Sequence, residues 1–337
     1  MNRRTDYLAH AVALIVMTIW GSTFVFTKLL LLSGLSAANI FTLRFLMAYV
    51  MLLGYSLLSG KHRWLAGSLR DELMMLALGV TGGSLYFLSE NEAMNHTTTT
   101  NTSLIVCTCP LFAAMLLGLF YRSERMNMTQ TLGSLLAVAG VATVVLNGHF
   151  VLHLSPLGDA LAFCACLCWA VYSLLMHRAN KLYGTLFITR KVFFYGLLSI
   201  LPYYLATRDI PSPSILMRTD IILNLLFLGC IASCVCFLTW TWVMKRLGAM
   251  TATNYVYFNP VVTIISAWLV LSETITIYFL LGTALILTGM YFADKKGKAS
   301  NDPNDPKDLN DLKDFKDLKD LKDLTKKNPP PFGRGWG

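Results

Sequence analysis

The sequence predicts an all-α integral membrane protein with ten transmembrane helices in two inverted five-helix repeats. Three observations predict it. Hydrophobic residues make up 55% of the 337-residue chain and charged residues only 14%, and the mean hydropathy of +0.55 is high for a soluble protein. Many windows of about twenty residues hold no charge, the length a helix needs to cross a bilayer. The second half also repeats marks of the first half in the same order. Glu124 is followed by Gly133 and Gly140 at nine and sixteen residues, and Glu273 by Gly282 and Gly289 at the same intervals. Pro110 and Pro260 precede the two glutamates, and Trp20 and Trp169 stand 149 residues apart, as do Glu124 and Glu273. Several matched marks in one order indicate an internal duplication.

The spans lie at about 8–31, 38–58, 73–93, 98–120, 129–147, 157–177, 186–206, 220–242, 251–271 and 277–293. Backbone groups in hydrocarbon must bond within their own segment, so these are helices. The first follows Arg3 and Arg4 and has no small-residue cleavage site after it, so it reads as an uncleaved span. Basic residues in the connections set the orientation. With the N-terminus cytoplasmic, that side receives Arg3, Arg4, Lys61, Arg63, Arg70, Arg122, Arg125, Arg178, Lys181, Lys245, Arg246, Lys295 and Lys296. The other side receives Arg208 and Arg218, a bias of thirteen to two. Five spans per unit is an odd number, so the second unit enters the membrane inverted. The units are 8–147 and 157–293. Antiparallel units around a central path are a transporter architecture.

Residues 294–337 differ in kind. Asp recurs at every third position from Asp305 to Asp323, with Lys and Leu between, and Pro329, Pro330 and Pro331 follow. A period of three leaves no steady apolar face on a helix. The segment reads as a cytoplasmic, disordered, low-complexity tail.

Small residues mark close helix contacts. Gly133 and Gly140 share a helix face, as do Gly282 and Gly289, because seven residues are nearly two turns. Gly79, Gly82 and Gly83 cluster in the third span. Pro110 and Pro260 each remove a backbone donor within a span, where a kink is expected.

Charges within spans are costly, so they are the first candidates for function. Lys28, Arg44, Glu90 and Glu92 all fall in the outer half of the bilayer, and pairing of Glu90 with Lys28 or Arg44 would offset the cost of burial. Arg190 and Lys191 begin the seventh span and sit near the opposite face, so the cations read either as positive rings at both mouths of one path or as anchors. Trp20 and Trp169 occupy corresponding places. With Tyr86, Asn91, Trp240, Asn254 and Tyr255 they offer a ring wall and a few hydrogen-bonding groups, which suits a small organic solute. Trp242 and Tyr257 read as interfacial aromatics. His96 and His153 fall in outer connections.

No enzyme motif is present: no HExxH, GxSxG or phosphate-binding loop. The eight cysteines all lie in apolar runs and read as buried small hydrophobes, with neither disulfide nor metal expected. No cofactor is implied. The net charge of +9 falls in short connections rather than on one basic face, which argues against nucleic acid.

Trp20-Gly21-Ser22-Thr23-Phe24, Arg44-Phe45, the stretch from Pro110 to Glu124, and that from Pro260 to Glu273 with its two glycines resemble the drug/metabolite transporter superfamily, within it the EamA-domain family. The resemblance covers roughly residues 8–293. It implies two inverted EamA units, a bacterial inner-membrane location and movement of small metabolites, often outward. It also implies cavity-lining roles for Trp20 and Tyr86. Arg190-Lys191 and the acidic pair Glu90 and Glu92 depart from the family pattern and speak against a purely apolar, drug-like substrate. The expectation is a non-enzymatic secondary transporter that exports amino acids or related metabolites by alternating access. Its partners are the solute and the bilayer, with protons as candidate coupling ions and a homodimer left open. An uptake carrier and a non-transporting scaffold or signalling protein are the alternatives, and the intramembrane charges favour transport.

Cysteine tags at Gly34, Gly60 and Asn301 are expected to react from outside, inside and inside; an external tag at Asn301 would sink the ten-span count. Ending the chain after Ser300 should leave insertion and flux intact, which flux at matched membrane abundance checks.

Overall fold

The computed structural model describes residues 3–60, 63–97, 102, 105–121, 125–146, 155–271 and 277–294. These all fall within one compact unit, Met1–Lys295. Glu124, Glu273, His153, the basic residues Lys61, Arg122, Lys295 and Lys296, and the tail beyond Asp294 lie outside the described residues.

Helices account for nearly everything described. α1 is Arg3–Leu32 and α2 Ala37–Leu58; α3 (Leu69–Gly79) continues through wide π turns at Val80–Ser84 into α4 (Leu85–His96). α5 is Cys109–Phe120, α6 Met128–Leu146, α7 Pro156–Leu182, α8 Thr185–Thr207 and α9 the short Pro213–Leu216. α10 (Thr219–Leu226) passes through a second π stretch, Phe227–Val235, into α11 (Cys236–Leu247). α12 (Ala249–Asn254) and a tight turn at Tyr255–Phe258 lead into α13 (Asn259–Leu271), and α14 is Ile277–Ala293.

Among the described residues, six helical segments are long and apolar enough to cross a membrane: Tyr7–Leu32, Ala37–Leu58, Leu69–His96, Pro156–Leu182, Thr185–Thr207 and Thr219–Leu247. Cys109–Phe120, Met128–Thr143 and Ile277–Ala293 are shorter apolar helices. The protein is therefore an all-α, multi-pass membrane protein. Its polarity runs inside out. Leu58, Leu205 and Leu223 are exposed, while Arg44, Glu90, Asn91, Arg190 and Lys191 are buried. That arrangement suits a bundle whose solvent is lipid.

Local chemistry sets the helix ends. Ser36 accepts from the Asn39 amide to start α2, and Ser68 accepts from the Asp71 amide to start α3. Ser155 accepts from the Gly158 amide, while Asp159 reaches back to the Ser155 amide. Lys245 and Arg246 occupy the last turn of α11, where the helix dipole favours cations. Gly248 then takes φ +86, a conformation other residues rarely hold.

Both prolines stand at breaks. Pro110 lies in the first turn of α5, and Pro260 is the second residue of α13 after the tight turn. A missing N–H has no intrahelical partner to lose in a first turn. The predicted ninth span is thus divided at Tyr255–Phe258.

The main contacts join early helices to late ones, in matching sets. α4 packs on α7, as α11 packs on α1. α3 packs on α8, as the second π stretch packs on α2. α5 packs on α7, as α13 packs on α1. α6 and α14 pack on each other through glycine. A Cβ on Gly133 would stand 2.4 Å from the Ala293 nitrogen, and one on Gly289 2.4 Å from the Ala137 nitrogen. Gly140 approaches the Gly282 carbonyl, where a Cβ would lie 2.8 Å away. Tyr257, read from sequence as interfacial, is instead fully buried, packed with Cys107, Val141 and Ile286 beside the α6–α14 pair.

Gly289→Ala is expected to cost roughly 1–3 kcal/mol or more through overpacking, read as a lower Tm in detergent. Gly184→Ala, where a Cβ meets nothing within 4 Å, serves as the control and should leave Tm in place.

Candidate functional site

A partly open cavity, with about 450 Å³ of non-protein space when the open solvent at its mouth is counted, lies among the helices. Trp20, Arg44, Tyr86, Glu90 and Trp169, five residues singled out from the sequence, line it. Thr23, Phe24, Phe87, Cys109, Phe237, Val256 and Asn259 complete the wall.

The aromatic wall is one connected set. Trp20 meets Trp169 edge-on at 5.7 Å between ring centroids and lies 5.3 Å from both Phe237 and Trp240. Tyr86 stands 5.3 Å from Trp169. Trp20 reaches the wall from α1 because its Nε1 donates to the Ala232 carbonyl at 2.8 Å. Ala232 lies in the second π stretch, where the widened turns change which carbonyls find helical partners. Trp169 Nε1 is buried and has no partner among the described residues.

The charges are arranged differently from the expected ion pair. Arg44 Nε donates to Ser233 Oγ at 2.9 Å, and its guanidinium lies 4.5 Å from the centroid of the Phe87 ring. Tyr86 donates its hydroxyl to Glu90 Oε1 at 2.7 Å, one helical turn away. Arg44 and Glu90 line the same cavity yet are not in salt-bridge contact. Lys28 Nζ donates to the Met94 carbonyl at 2.9 Å, so it does not pair with Glu90 either. The reason is a competing partner for each. Glu90 is held by Tyr86 on its own helix, and Arg44 is held by Ser233 on the facing π stretch. Glu92 points away and contacts Asn95 and His96 at the end of α4.

Other candidates lie elsewhere. Asn91 is buried, and neither amide atom has a partner among the described residues. Asn254 Nδ2 donates to the Ala293 carbonyl at 3.4 Å, and Tyr255 shares a 2.5 Å hydrogen bond with His10. Trp240 backs Trp20 from behind the wall. Arg190 and Lys191 belong to a second polar cluster. Lys191 forms an ion pair with Glu72, which also accepts from the Tyr195 hydroxyl and, at 2.6 Å, from the Ala66 amide. Arg190 donates to Ser56 Oγ at 2.5 Å and to the Arg63 carbonyl, and its guanidinium lies over Trp64. Tyr183 donates to Asp71 at 2.8 Å and accepts from the Gly67 amide. Burial raises the Tyr183 pKa above that of a free phenol, and Asp71 adds to the rise, so the hydroxyl remains a donor.

Two wall residues had a sequence signal that went unused. Cys109 and Asn259 each immediately precede one of the repeated prolines, and each begins a helix at the cavity, α5 and α13. Phe87, Phe237 and Val256 carried none, since a ring or valine in an apolar span looks like any other. Among the described residues no group of His, Cys, Asp and Glu could hold a metal ion, and all eight cysteines are free thiols.

The described helices form a polytopic membrane bundle around a small cavity of rings, one cation and one carboxyl. The chain belongs to the EamA-like transporter family, which matches it twice, over residues 8–146 and 156–293. It is 27% identical over 302 residues to an uncharacterized transporter of Archaeoglobus fulgidus, covering 88% of this chain and 99% of that one. It is 26% identical over 313 residues to a probable amino-acid metabolite efflux pump of Salmonella typhimurium, covering 86% and 95%. A solved crystal structure shares the fold with a TM-score of 0.67 at 18% identity, covering 86% of this chain and 97% of the other.

Proposed function

We propose that this transporter carries zwitterionic organic metabolites, amino acids or close relatives, outward across a bacterial inner membrane by alternating access. The observation that carries this reading is that Arg44 and Glu90 line one cavity without forming a salt bridge, Arg44 being held by Ser233 and Glu90 by Tyr86. A buried cation and a buried carboxyl left apart can each take one end of a zwitterion. The carboxylate of the solute would meet Arg44, and its ammonium would meet Glu90. α5 and α13 both begin at the cavity wall, and helix N-termini favour negative charge. The ring wall accommodates an apolar side chain. The efflux function named for the Salmonella relative supports the outward direction.

The matching contact sets support two inverted units, 8–147 and 157–293, and the thirteen-to-two bias of basic residues supports a ten-span count with both termini cytoplasmic. The π stretches support it too. The 149-residue spacing carries 80–84 onto 229–233, inside the second stretch.

Uptake of radiolabelled amino acids and of their amides into proteoliposomes tests the reading. Wild-type protein should move the acids, and Arg44→Gln should lower that flux on the order of tenfold or more, the worth of a charged hydrogen bond. Amides lack the carboxylate and should lose little further. Glu90→Gln should slow acids and amides alike. No flux of any tested acid, or unchanged flux in both variants, would remove the zwitterion reading.

A further inference from the structure

The cluster around Glu72 lies away from the cavity, and the described path residues make no use of it. It joins three pieces: the first turn of α3, the N-terminal half of α8 and the segment 63–68 that leads into α3. Lys191 and Tyr195 hold Glu72 from α8, and Ala66 holds it from the segment. Arg190 ties the same segment to α8 through the Arg63 carbonyl, and Tyr183 ties it to the end of α7 through Gly67 and Asp71. Lys191 and Glu72 are largely buried, with side chains 7% and 17% exposed.

The helix carrying Glu72 also carries Tyr86 and Glu90, but not as one rigid rod. Between them lie the π turns Val80–Ser84, with Gly83 at φ −122 and ψ −105, outside helical geometry. Gly79 and Gly82 there admit neighbours closely: a Cβ would stand 2.5 Å from Tyr195 Cβ and 2.2 Å from the Tyr172 ring. A break of this kind separates a half-helix that is latched from a half-helix that faces the cavity.

We infer that α3 is a gate, hinged at Val80–Ser84 and latched shut by Glu72 on Lys191 and Tyr195, which closes the end of the path where segment 63–68 lies. The inference rests on the alternating-access reading above. Glu72 is then a working residue of transport, although it touches no solute. An ion pair in a low-dielectric setting suits a latch, because separated partners each regain water only if the gate opens fully. The open form has a waiting partner. Trp20 donates to Ala232 in one π stretch, and the spacing of 149 residues makes Trp169 and Gly83 the corresponding pair. Trp169 Nε1 has no partner among the described residues in this closed form. The proposed opening turns the Gly83 carbonyl, which lies within the hinge, toward Trp169 Nε1.

Pulsed electron spin resonance on the full-length protein in nanodiscs tests the gate. Nitroxides on Leu69→Cys and Gly184→Cys, both exposed positions, report the latched end. Nitroxides on Asn95→Cys and Leu157→Cys, also exposed, report the end beyond the cavity. Protein without added cysteines supplies the background. Expected is one dominant short distance at the latched end. Glu72→Gln or Lys191→Gln should raise a longer-distance population at the latched end on the order of tenfold, with no lengthening at the other end. The swap Glu72→Lys with Lys191→Glu should restore the short distance. Trp169→Phe, which keeps the ring and loses the N–H, should lower the long-distance population in the Glu72→Gln background. Identical distances in all variants would overturn the gate, and equal movement at both ends would overturn the hinge. An unchanged open population in Trp169→Phe would overturn the role of that N–H. None of these readouts needs a solute, so loss of the zwitterion reading leaves them intact, and the reverse holds as well.

Discussion

A charge inside a lipid-facing bundle must find its partner within the protein, and this constraint organises the molecule. Three buried cations meet it in three ways. Lys191 takes a carboxylate, Glu72. Arg190 takes neutral oxygens and a ring face. Arg44 takes one hydroxyl and one ring face, and its remaining donors stay at a cavity wall. The first two arrangements close on themselves and stabilise packing. The third leaves donors facing a cavity, the arrangement on which the zwitterion proposal rests.

The shared core of the early and late helices follows from the same solvent. Lipid gives no reward for burying leucine on leucine, so association relies on close packing and polar contacts. The α6–α14 pair uses the first device and brings backbone against backbone at Gly133, Gly140 and Gly289. The Trp20–Ala232 and Arg44–Ser233 bonds use the second, each joining a first-half side chain to the second π stretch. Because the main contacts cross between halves, neither half holds a core of its own.

Much of this was legible in the sequence, for identifiable reasons. Membrane helices announce themselves by length and lack of charge. Trp20, Arg44, Tyr86, Glu90 and Trp169 stood out because a polar or very large side chain in an apolar run is conspicuous, and all five line the cavity. The failures share a cause as well. Depth alone suggests pairing Arg44 with Glu90, but depth says nothing about azimuth around the bundle or about a nearer tyrosine. Glu72 went unremarked because an acid in the first turn of a helix is ordinary capping chemistry, and its partner lies 119 residues away. The π stretches left no trace beyond the cluster Gly79, Gly82 and Gly83. Cys109 and Asn259 were overshadowed by the prolines that follow them.

The latch has no twin. The spacing that carries Trp20 onto Trp169 carries Glu72 onto Ile221 and returns Lys191 to Thr42. A perfectly duplicated machine would have two mirror-related closures of equal energy and would wait at neither face in preference to the other. If Glu72 and Lys191 latch the gate as proposed, one closure contains a largely buried ion pair while the corresponding positions opposite are an isoleucine and a threonine, and the degeneracy is broken. Such an imbalance cannot drive net movement, which still needs a gradient. It gives the empty carrier a resting position, and with it a side of the membrane on which the binding site idles between cycles.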